Sequence, residues 1–321
     1  MGLVTALAAP FPYFGGKRRA APLVWDFLGD PGGYVEPFAG SAAVLLARPP
    51  VKGRRVETIN DADGWLVNTW RSLQLDPDGV AAHAWGPMTE IDYHARLAWL
   101  QDRRSDRFVA WLEGDPEHHD PKAAGWWLYV CAGGIGDPFG PGPWRIVDGH
   151  LVDSRELPHL GDAGKGVNRE LPHLGNAGKG ALAAYFHRIA ERLHRVRITC
   201  GDWRRVVQPS VTRATAGNGT RAIFLDPPYA TSGDLYHHGD DDGSLSADVR
   251  RWAAQAARDD QELRLVLCGY DDEHDELLND GWTVAEGRAG GGAGYSKNPA
   301  NGRRERLWAS PACVSAQGVL L

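Results

Sequence analysis

The stretch "YVEPFAGSAAVLL", Tyr34 to Leu46, gives the strongest indication of the fold. Its apolar start predicts a short strand that runs into a glycine turn, and "SAAVLLA" predicts a helix with Ser41 as N-cap. Residues 54–61, "RRVETIND", predict a second strand that ends on Asp61, and residues 64–73 predict another helix. This alternation of strands and helices is typical of an α/β sheet.

The same alternation returns after residue 180. Residues 181–196 predict an amphipathic helix with the apolar stripe Leu182, Phe186, Ile189, Leu193 and Val196. Strands are predicted at "VRITCGDW" (196–203), "AIFLDPPY" (222–229) and "LRLVLCGY" (263–270), with a helix at residues 244–258. Residues 287–310 predict a hairpin with a long glycine-rich loop.

Residues 76–180 lack this alternation and predict an irregular insert. The region is rich in tryptophan and in Gly/Pro turns, and "RELPHLGDAGKG" (155–166) recurs as "RELPHLGNAGKG" (169–180). Two copies are too few for a solenoid, so a duplicated loop is the simpler interpretation. We therefore predict one α/β domain built from residues 1–75 and 181–321, with residues 76–180 inserted between its halves.

Composition and charge limit the classes of function. The 321 residues are 43% apolar and carry a formal net charge of −6, so a nucleic-acid contact needs a local basic patch. No apolar run reaches membrane-spanning length, and the order of the N-terminal apolar and basic residues is the reverse of a signal peptide. We therefore expect no membrane contact. The four cysteines lack C-x-x-C spacing, so we expect reduced thiols in a cytoplasmic protein.

Carboxylates follow three of the predicted strands, at Asp61, Asp202 and Asp226. In an open α/β sheet, ligands bind beyond the carboxyl ends of the strands. Several acids beside a glycine turn suit a nucleoside: Gly40 lets the backbone approach closely, and Asp61 can accept hydrogen bonds from ribose hydroxyls. Asp202 can accept from an adenine amine. The alternative for each aspartate is a helix N-cap.

The segment "DPPY", residues 226–229, suits chemistry on a planar amine. Acceptors at the Asp226 carboxylate and the Pro227 carbonyl would draw the amine towards sp3 geometry and offset the positive charge that develops on nitrogen. The two prolines fix φ and lack N–H groups, and Tyr229 offers a face for a stacked base. The alternative is an ordinary turn at a strand end.

Five segments in this order resemble the motifs of the Dam-like (D12-class, alpha-type) DNA adenine-N6 methyltransferases: "YFGGKR" (13–18), "YVEPFAGSAAVLL" (34–46), "INDADGWLVNTW" (59–70), "GDW" (201–203) and "LDPPYA" (225–230). The resemblance covers the first 75 residues and about the last 140. It implies methyl transfer from S-adenosylmethionine (SAM) to the N6 amine of adenine in a specific DNA sequence. It also implies a Rossmann-like sheet with helices on both faces and a target-recognition region at residues 76–180.

The resemblance also implies roles for individual residues. The expected cofactor-binding residues are Tyr13, Lys17, Glu36, Pro37, Phe38, Gly40, Asp61, Asp202 and Trp203, and the expected catalytic loop is Asp226, Pro227, Pro228 and Tyr229. Ala42 departs from the usual small glycine and is expected to crowd the cofactor turn. The middle region does not match the recognition segment of the GATC-type enzymes, which leaves the target sequence open.

Basic residues near the C-terminus fit a DNA partner. The expected DNA-binding residues are Arg288, Lys297, Arg303 and Arg304, and a solvated face is the alternative. We expect a monomer that flips its target base out of double-stranded DNA, and a companion restriction nuclease is compatible with it. The histidine pairs 118–119 and 237–238 lack further ligands at suitable spacing, so no metal site is predicted.

Two other classes of function remain open. One is a methyltransferase that acts on cytosine N4, an RNA base or a glutamine side chain. Asp226 disfavours it, since serine or asparagine usually takes that place in the cytosine-N4 and glutamine enzymes. The other is a catalytically silent DNA-binding relative, which the intact "DPPY" disfavours.

Overall fold

The computed structural model describes most of the chain. The described residues are 7–11, 13, 16–50, 55–87, 89–103, 105–133, 144–147, 150–153, 179–215, 219–229, 244–286 and 304–314. The tandem repeat up to residue 178, the second histidine pair and the glycine-rich loop at 287–303 lie outside them.

The elements of the described residues alternate as expected at both ends of the chain. The strands are β1 (Gly33–Glu36), β2 (Val56–Asp61), β3 (Trp144–Val147), β4 (His150–Asp153), β5 (Val196–Cys200), β6 (Arg221–Leu225), β7 (Leu263–Tyr270), β8 (Thr283–Glu286) and β9 (Glu305–Ala309). The helices are α1 (Ala21–Leu28), α2 (Ala43–Leu46), α3 (Gly64–Leu75), α4 (Pro77–Ala84), α5 (Glu90–Arg103), α6 (Asp106–Gly114), α7 (Pro121–Gly133), α8 (Lys179–Leu193), α9 (Pro209–Thr215) and α10 (Ser244–Asp259).

Seven strands form one mixed sheet in the order β5-β2-β1-β6-β7-β9-β8. The first five are parallel, and β9 runs antiparallel to both β7 and β8. The C-terminal hairpin is formed by β8 and β9, in which Glu286 pairs with Arg306, but its first strand lies before the predicted range of 287–310. Because the chain moves outward from β1 to β5 and then returns to β6 beside β1, the two central strands form a topological switch point. This α/β sheet is compatible with a Rossmann-like fold.

Both faces of the sheet are covered by helices. Tyr34 and Val35 are neighbours on β1 and both are buried, because successive side chains of a strand point to opposite faces. Tyr34 belongs to a core that includes Trp25 of α1 and Phe186 of α8, whereas Val35 belongs to a core that includes Val249 of α10. The described residues contain no helix with the length and apolarity needed to cross a bilayer.

The inserted region is more regular than its sequence predicts. Its described part consists of four helices, α4 to α7, and the separate hairpin of β3 and β4. Val80, Leu100 and Leu112 from these helices share one apolar core with Trp70 and Leu73 of α3. The prediction of an irregular segment is therefore wrong for these residues, because the helices bury apolar side chains in a core that they share with α3.

The turn after β1 also differs from its prediction. Helix α2 begins only at Ala43, its N-cap is Ala42, and no side chain caps it. Ser41 is buried but is not the N-cap, so that prediction is wrong. The turn reaches the helix through left-handed backbone at Gly40 and Ala42, which places the first helical residue beyond Ser41.

Candidate active site

The predicted strand-end residues meet at one edge of the sheet. Strands β1, β2, β5 and β6 are parallel neighbours, so their carboxyl ends lie together. Gly40, in the turn after β1, donates its N–H to Asp61 Oδ2 at 2.9 Å. Gly201, in the turn after β5, donates its N–H to the Asp61 carbonyl oxygen at 2.9 Å. Asp61 therefore joins the turns on either side of β2.

Asp61 is half-buried, and both of its carboxylate oxygens accept backbone hydrogen bonds. Oδ1 accepts from the N–H of Asp63 at 2.9 Å, while Oδ2 accepts from Gly40. Burial raises the pKa of Asp61 to about 6, although these backbone hydrogen bonds lower it. Each carboxylate oxygen has further acceptor capacity, so the ribose role is compatible with these bonds and stays a prediction.

The glycine turn requires a residue without a side chain. Gly40 has a φ of 45°, and a Cβ added there would lie 2.5 Å from Cε1 of Tyr13. The Gly40 carbonyl accepts a hydrogen bond from the indole of Trp70 at 2.9 Å. The structure thus brings Tyr13 and Gly40 together, and their cofactor-binding roles stay predictions.

Ala42 is the departure noted in the sequence, and the structure shows its consequence for the backbone. Its φ is 47° and its side chain is completely buried. Left-handed backbone costs an L-residue about 1–2 kcal/mol, a cost that glycine avoids. The consequence of alanine at this position is therefore backbone strain in the turn. Whether it also crowds a cofactor stays a prediction.

Asn60 is a site residue that the sequence analysis missed. Its buried side-chain amide donates to the Pro37 carbonyl at 3.1 Å and to the Gly201 carbonyl at 2.9 Å. Its Oδ1 accepts from the hydroxyl of Thr199 at 2.9 Å. Asn60 thereby connects the turns after β1 and β5. A buried amide directly before a strand-end aspartate was the available signal, because buried polar groups need partners.

Glu36 faces the protein interior at the end of β1. Its Oε2 accepts from the Tyr34 hydroxyl at 3.1 Å and from the N–H of Leu45 at 3.2 Å. Burial raises the pKa of Glu36 to about 8, so the carboxyl is mostly neutral at pH 7. The hydrogen bond to Leu45 fixes α2 against the end of β1, and this holds the glycine turn between them in place.

Phe38 and Trp203 form an aromatic pair between the turns after β1 and β5. Their ring centroids are 5.9 Å apart, and Trp203 also packs edge-on against Trp252. Trp203 is 5% exposed, and its indole N–H has no acceptor among the described residues. A buried donor without a partner costs about 1–3 kcal/mol, so this N–H lowers the stability of the pair.

Asp202 is exposed and caps the short 3₁₀ turn Trp203–Arg205. Its Oδ1 accepts from the N–H of Arg204 at 2.7 Å, and its Oδ2 accepts from the Arg204 guanidinium at 3.2 Å. The capping role that the sequence left open for this aspartate is therefore present. An additional contact with an adenine amine stays a prediction.

Asp226 lies in a ring of four side chains, and the partners come from distant parts of the chain. Lys17 Nζ lies 2.9 Å from Asp226 Oδ2 and 3.0 Å from Glu305 Oε1. The Tyr229 hydroxyl lies 3.1 Å from Asp226 Oδ1 and 3.0 Å from the same Glu305 oxygen. Burial raises the pKa of Asp226 to about 6, while Lys17 lowers it and Glu305 raises it. We call Lys17, Asp226, Glu305 and Tyr229 the four-residue ring.

The Tyr229 side chain is enclosed in this structure. It is 3% exposed, its ring contacts the Tyr270 ring edge-on at 4.4 Å, and Lys17 Nζ lies 5.2 Å from its centroid. A base can stack on this ring only after a neighbouring side chain moves, so the stacking role stays a prediction. Pro227 is buried and Pro228 is half-buried in the same loop.

Of the expected DNA-binding residues, Arg288, Lys297 and Arg303 lie outside the described residues. Arg304 is described, and its guanidinium donates to Asp271 Oδ2 at 2.6 Å and stacks over Tyr270 at 5.1 Å. Tyr270 ends β7, so Arg304 lies at the same edge of the sheet as Asp226. A DNA contact by Arg304 stays a prediction.

The residues that the structure describes contain no group of three His, Cys, Asp or Glu side chains suited to a metal ion.

No protein-family model matches the chain, and a search of curated proteins finds no significant match. A functional assignment therefore depends on the motifs and on the geometry at this edge of the sheet.

Proposed function

We propose that the chain is a SAM-dependent methyltransferase that acts on the N6 amine of adenine in double-stranded DNA. The observation that carries this proposal is the position of the "DPPY" loop beside the glycine turn. Asp226 follows β6 and Gly40 follows β1, and these two strands are neighbours at the topological switch point. A methyl donor held by one turn and an amine held by the other would therefore lie next to each other.

The residues at this edge fit a SAM ligand. Gly40 permits a close backbone approach, Asp61 retains acceptor capacity for ribose hydroxyls, and Phe38 and Trp203 place aromatic rings between the turns after β1 and β5. When bound, SAM supplies an electrophilic methyl group on its sulfonium sulfur. Asn60 and Glu36 support these turns from behind through the hydrogen bonds already described.

Asp226 would act on the amine by electrostatics and orientation. The amine nitrogen gains positive charge as the methyl transfers, and a carboxylate that accepts one of its N–H groups stabilises that charge. The carboxylate must be ionised for this effect. With a pKa of about 6, most Asp226 side chains are ionised at pH 7. The activity should therefore decline as the pH falls through about 6.

The inserted helices provide aromatic and basic side chains that suit a nucleic acid. Lys122 Nζ lies 4.5 Å from the Trp126 ring. Arg103 stacks over Trp99 at 3.8 Å. Clusters of aromatic and cationic side chains are used to bind nucleic-acid strands, which supports a DNA-contacting role for this region.

The decisive experiment is transfer of a labelled methyl group from SAM to unmethylated double-stranded DNA. Hydrolysis of the product should give labelled N6-methyladenine, and Asp226→Ala should lose at least about 100-fold in rate because a transition-state partner is removed. Retention of more than about a tenth of the wild-type rate by Asp226→Ala contradicts the catalytic role. Label in cytosine, RNA or protein, or no label at all, contradicts the proposed activity.

A further inference from the structure

Glu305 joins the four-residue ring from β9, a strand that does not touch β6 directly. Its Oε1 contacts both Lys17 Nζ and the Tyr229 hydroxyl at 3.0 Å. Lys17 and Tyr229 therefore each bridge the same two carboxylates, those of Asp226 and Glu305. We propose that Glu305 is a positioning residue that balances Lys17 and Tyr229, so that the four-residue ring keeps a net negative charge and Asp226 keeps the free acceptor that an amine substrate needs.

The charges of the ring favour this role. An ion pair between Lys17 and Asp226 alone would be neutral and would stabilise a positively charged nitrogen only weakly. With Glu305, the ring contains two carboxyl groups and one ammonium group, which gives a net charge of −1 when both carboxyl groups are ionised. Lys17 is 4% exposed, so solvent does little to screen its charge, and Glu305 shares with Asp226 the compensation of that charge.

The hydroxyl of Tyr229 leads to the same conclusion. It has one hydrogen but lies within 3.1 Å of oxygens from both carboxyl groups. It can therefore donate to Glu305 and leave Asp226 Oδ1 able to accept from another donor. An amine N–H can then take that place on Asp226. Without Glu305, the Tyr229 hydroxyl would have only the Asp226 carboxylate as an acceptor within the four-residue ring. The hydroxyl and the substrate amine would then compete for the same oxygen of Asp226.

Other ionisable groups around the ring do not provide this compensation. Glu36 is buried and mostly neutral at pH 7, and Arg304 over Tyr270 is paired with Asp271. Cys268 and Tyr270 also face Asp226, but burial raises the pKa of each, which keeps both neutral at pH 7. Among the described groups around Asp226, Glu305 thus supplies the second negative charge of the ring.

The inference rests on the proposed methyl transfer, and a pair of substitutions at Glu305 tests it. Glu305→Gln makes the ring neutral, so we expect kcat to fall on the order of tenfold at saturating SAM and DNA. Glu305→Asp keeps the second carboxylate, so it should retain a rate closer to that of the wild type than Glu305→Gln does. Glu286→Gln on β8, an exposed residue paired with Arg306, is the matched control and should keep the wild-type rate. A wild-type kcat in Glu305→Gln overturns the inference.

A measurement without substrate separates this inference from the proposed function. The 13C signal of the Asp226 carboxyl, assigned by its loss in Asp226→Asn, reports the pKa of that group directly. Glu305→Gln should lower this pKa because a nearby negative charge is removed, and Lys17→Gln should raise it. An unchanged Asp226 pKa in Glu305→Gln overturns the coupling. If wild-type protein transfers no methyl group, the proposed function fails while the titration still decides whether the ring is coupled.

Discussion

The N–H of Gly40 and the carboxylate of Asp61 meet at 2.9 Å, which ties the turn after β1 to the end of β2. Asp61 also accepts from the N–H of Asp63, which in turn caps α3 through Trp65. A single side chain thus fixes the backbone on which the proposed cofactor would rest. Asp63 belongs to the same turn but is not expected to contact the cofactor. A comparison of substitutions at Asp61 and Asp63 therefore separates the structural role of Asp61 from its ligand-binding role.

Asp61→Ala should reduce both folding stability and SAM affinity. Two backbone donors lose their acceptor, which should lower the free energy of unfolding by about 1–3 kcal/mol for each that stays buried. SAM binding should weaken by about 1.5–3 kcal/mol if the carboxylate also holds the ribose, as calorimetry would measure. Asp63→Ala removes a helix cap at a cost of about 1 kcal/mol and should leave SAM affinity unchanged. Wild-type affinity in Asp61→Ala would assign Asp61 a purely structural role.

Ala42→Gly should stabilise the protein. The left-handed backbone at Ala42 costs about 1–2 kcal/mol, and the greater freedom of glycine in the unfolded chain offsets part of the gain from removing that cost. We expect the free energy of unfolding to rise by about 1 kcal/mol in urea titrations. Ala43→Gly, one residue later and inside α2, should instead lower it by about 1 kcal/mol. A loss of stability in both variants would show that Ala42 is not strained.

Glu36 should make stability depend on pH above neutrality. Its pKa is raised from about 4.5 to about 8, so the folded state holds a proton that the unfolded chain has lost. Stability from this group is therefore complete below about pH 4.5 and falls as pH rises through 8, by about 1 kcal/mol per pH unit near neutrality. Glu36→Gln should flatten the curve between pH 7 and 8.5, where Asp61 and Asp226 are already ionised. Glu286→Gln serves as the exposed control, and parallel curves for all three proteins would contradict the prediction.

The strand ends of the site could be predicted from sequence because they depend on local pattern. Apolar runs that stop at Asp61 and Asp226 indicate strands, and parallel strands bring their carboxyl ends to one edge. Gly40 could be predicted for the same reason, since a glycine between a strand and a helix indicates a tight turn.

The contacts behind those turns could not be predicted. Glu305 lies in the charged segment "RRERLW", and only the pairing of β9 with β7 brings it to Asp226. Asn60 has no local pattern that reveals its partners after β1 and β5. Helix α7 contains the run "AAGWWLYVCA", whose residues are buried nearly all round, so periodicity could not indicate a helix.

Arg303 and Arg304 should contribute to DNA affinity through charge. Arg304 is paired with the exposed Asp271, and exposed ion pairs are worth only about 0–1 kcal/mol, so phosphate can compete for the guanidinium. Replacing both arginines with alanine should weaken binding and reduce the slope of log affinity against log salt by about 0.9 for each phosphate that is no longer neutralised. Arg258→Ala is the matched control, an exposed arginine paired with Asp280 beside the start of β7 and away from the site edge. Equal slopes in all proteins would leave the basic segment without a DNA role.

The last prediction concerns the enclosed ring of Tyr229. The amine of a paired adenine is engaged with thymine inside the stack, so the base must leave the duplex before it can reach Asp226. Unpairing and unstacking cost a few kcal/mol, and an aromatic face can return about 1–3 kcal/mol for a stacked base. Because Tyr229 is 3% exposed and Tyr270 lies against its ring, a neighbouring side chain must move before Tyr229 can offer its face.

Two substitutions distinguish the role of the Tyr229 aromatic face from the role of its hydroxyl. Tyr229→Phe keeps the aromatic face and removes the hydroxyl that lies between the two carboxyl groups, so we expect a modest loss in rate and a change in the acid limb of the pH profile. Tyr229→Ala loses the face as well and should be slower by a further tenfold or more, on the basis of about 1–3 kcal/mol of stacking. SAM affinity should stay nearly unchanged in both. A duplex with 2-aminopurine at the target should brighten on binding, although quenching by Tyr229 makes the kinetic result decisive. If Tyr229→Ala methylates as fast as Tyr229→Phe, the base stacks elsewhere.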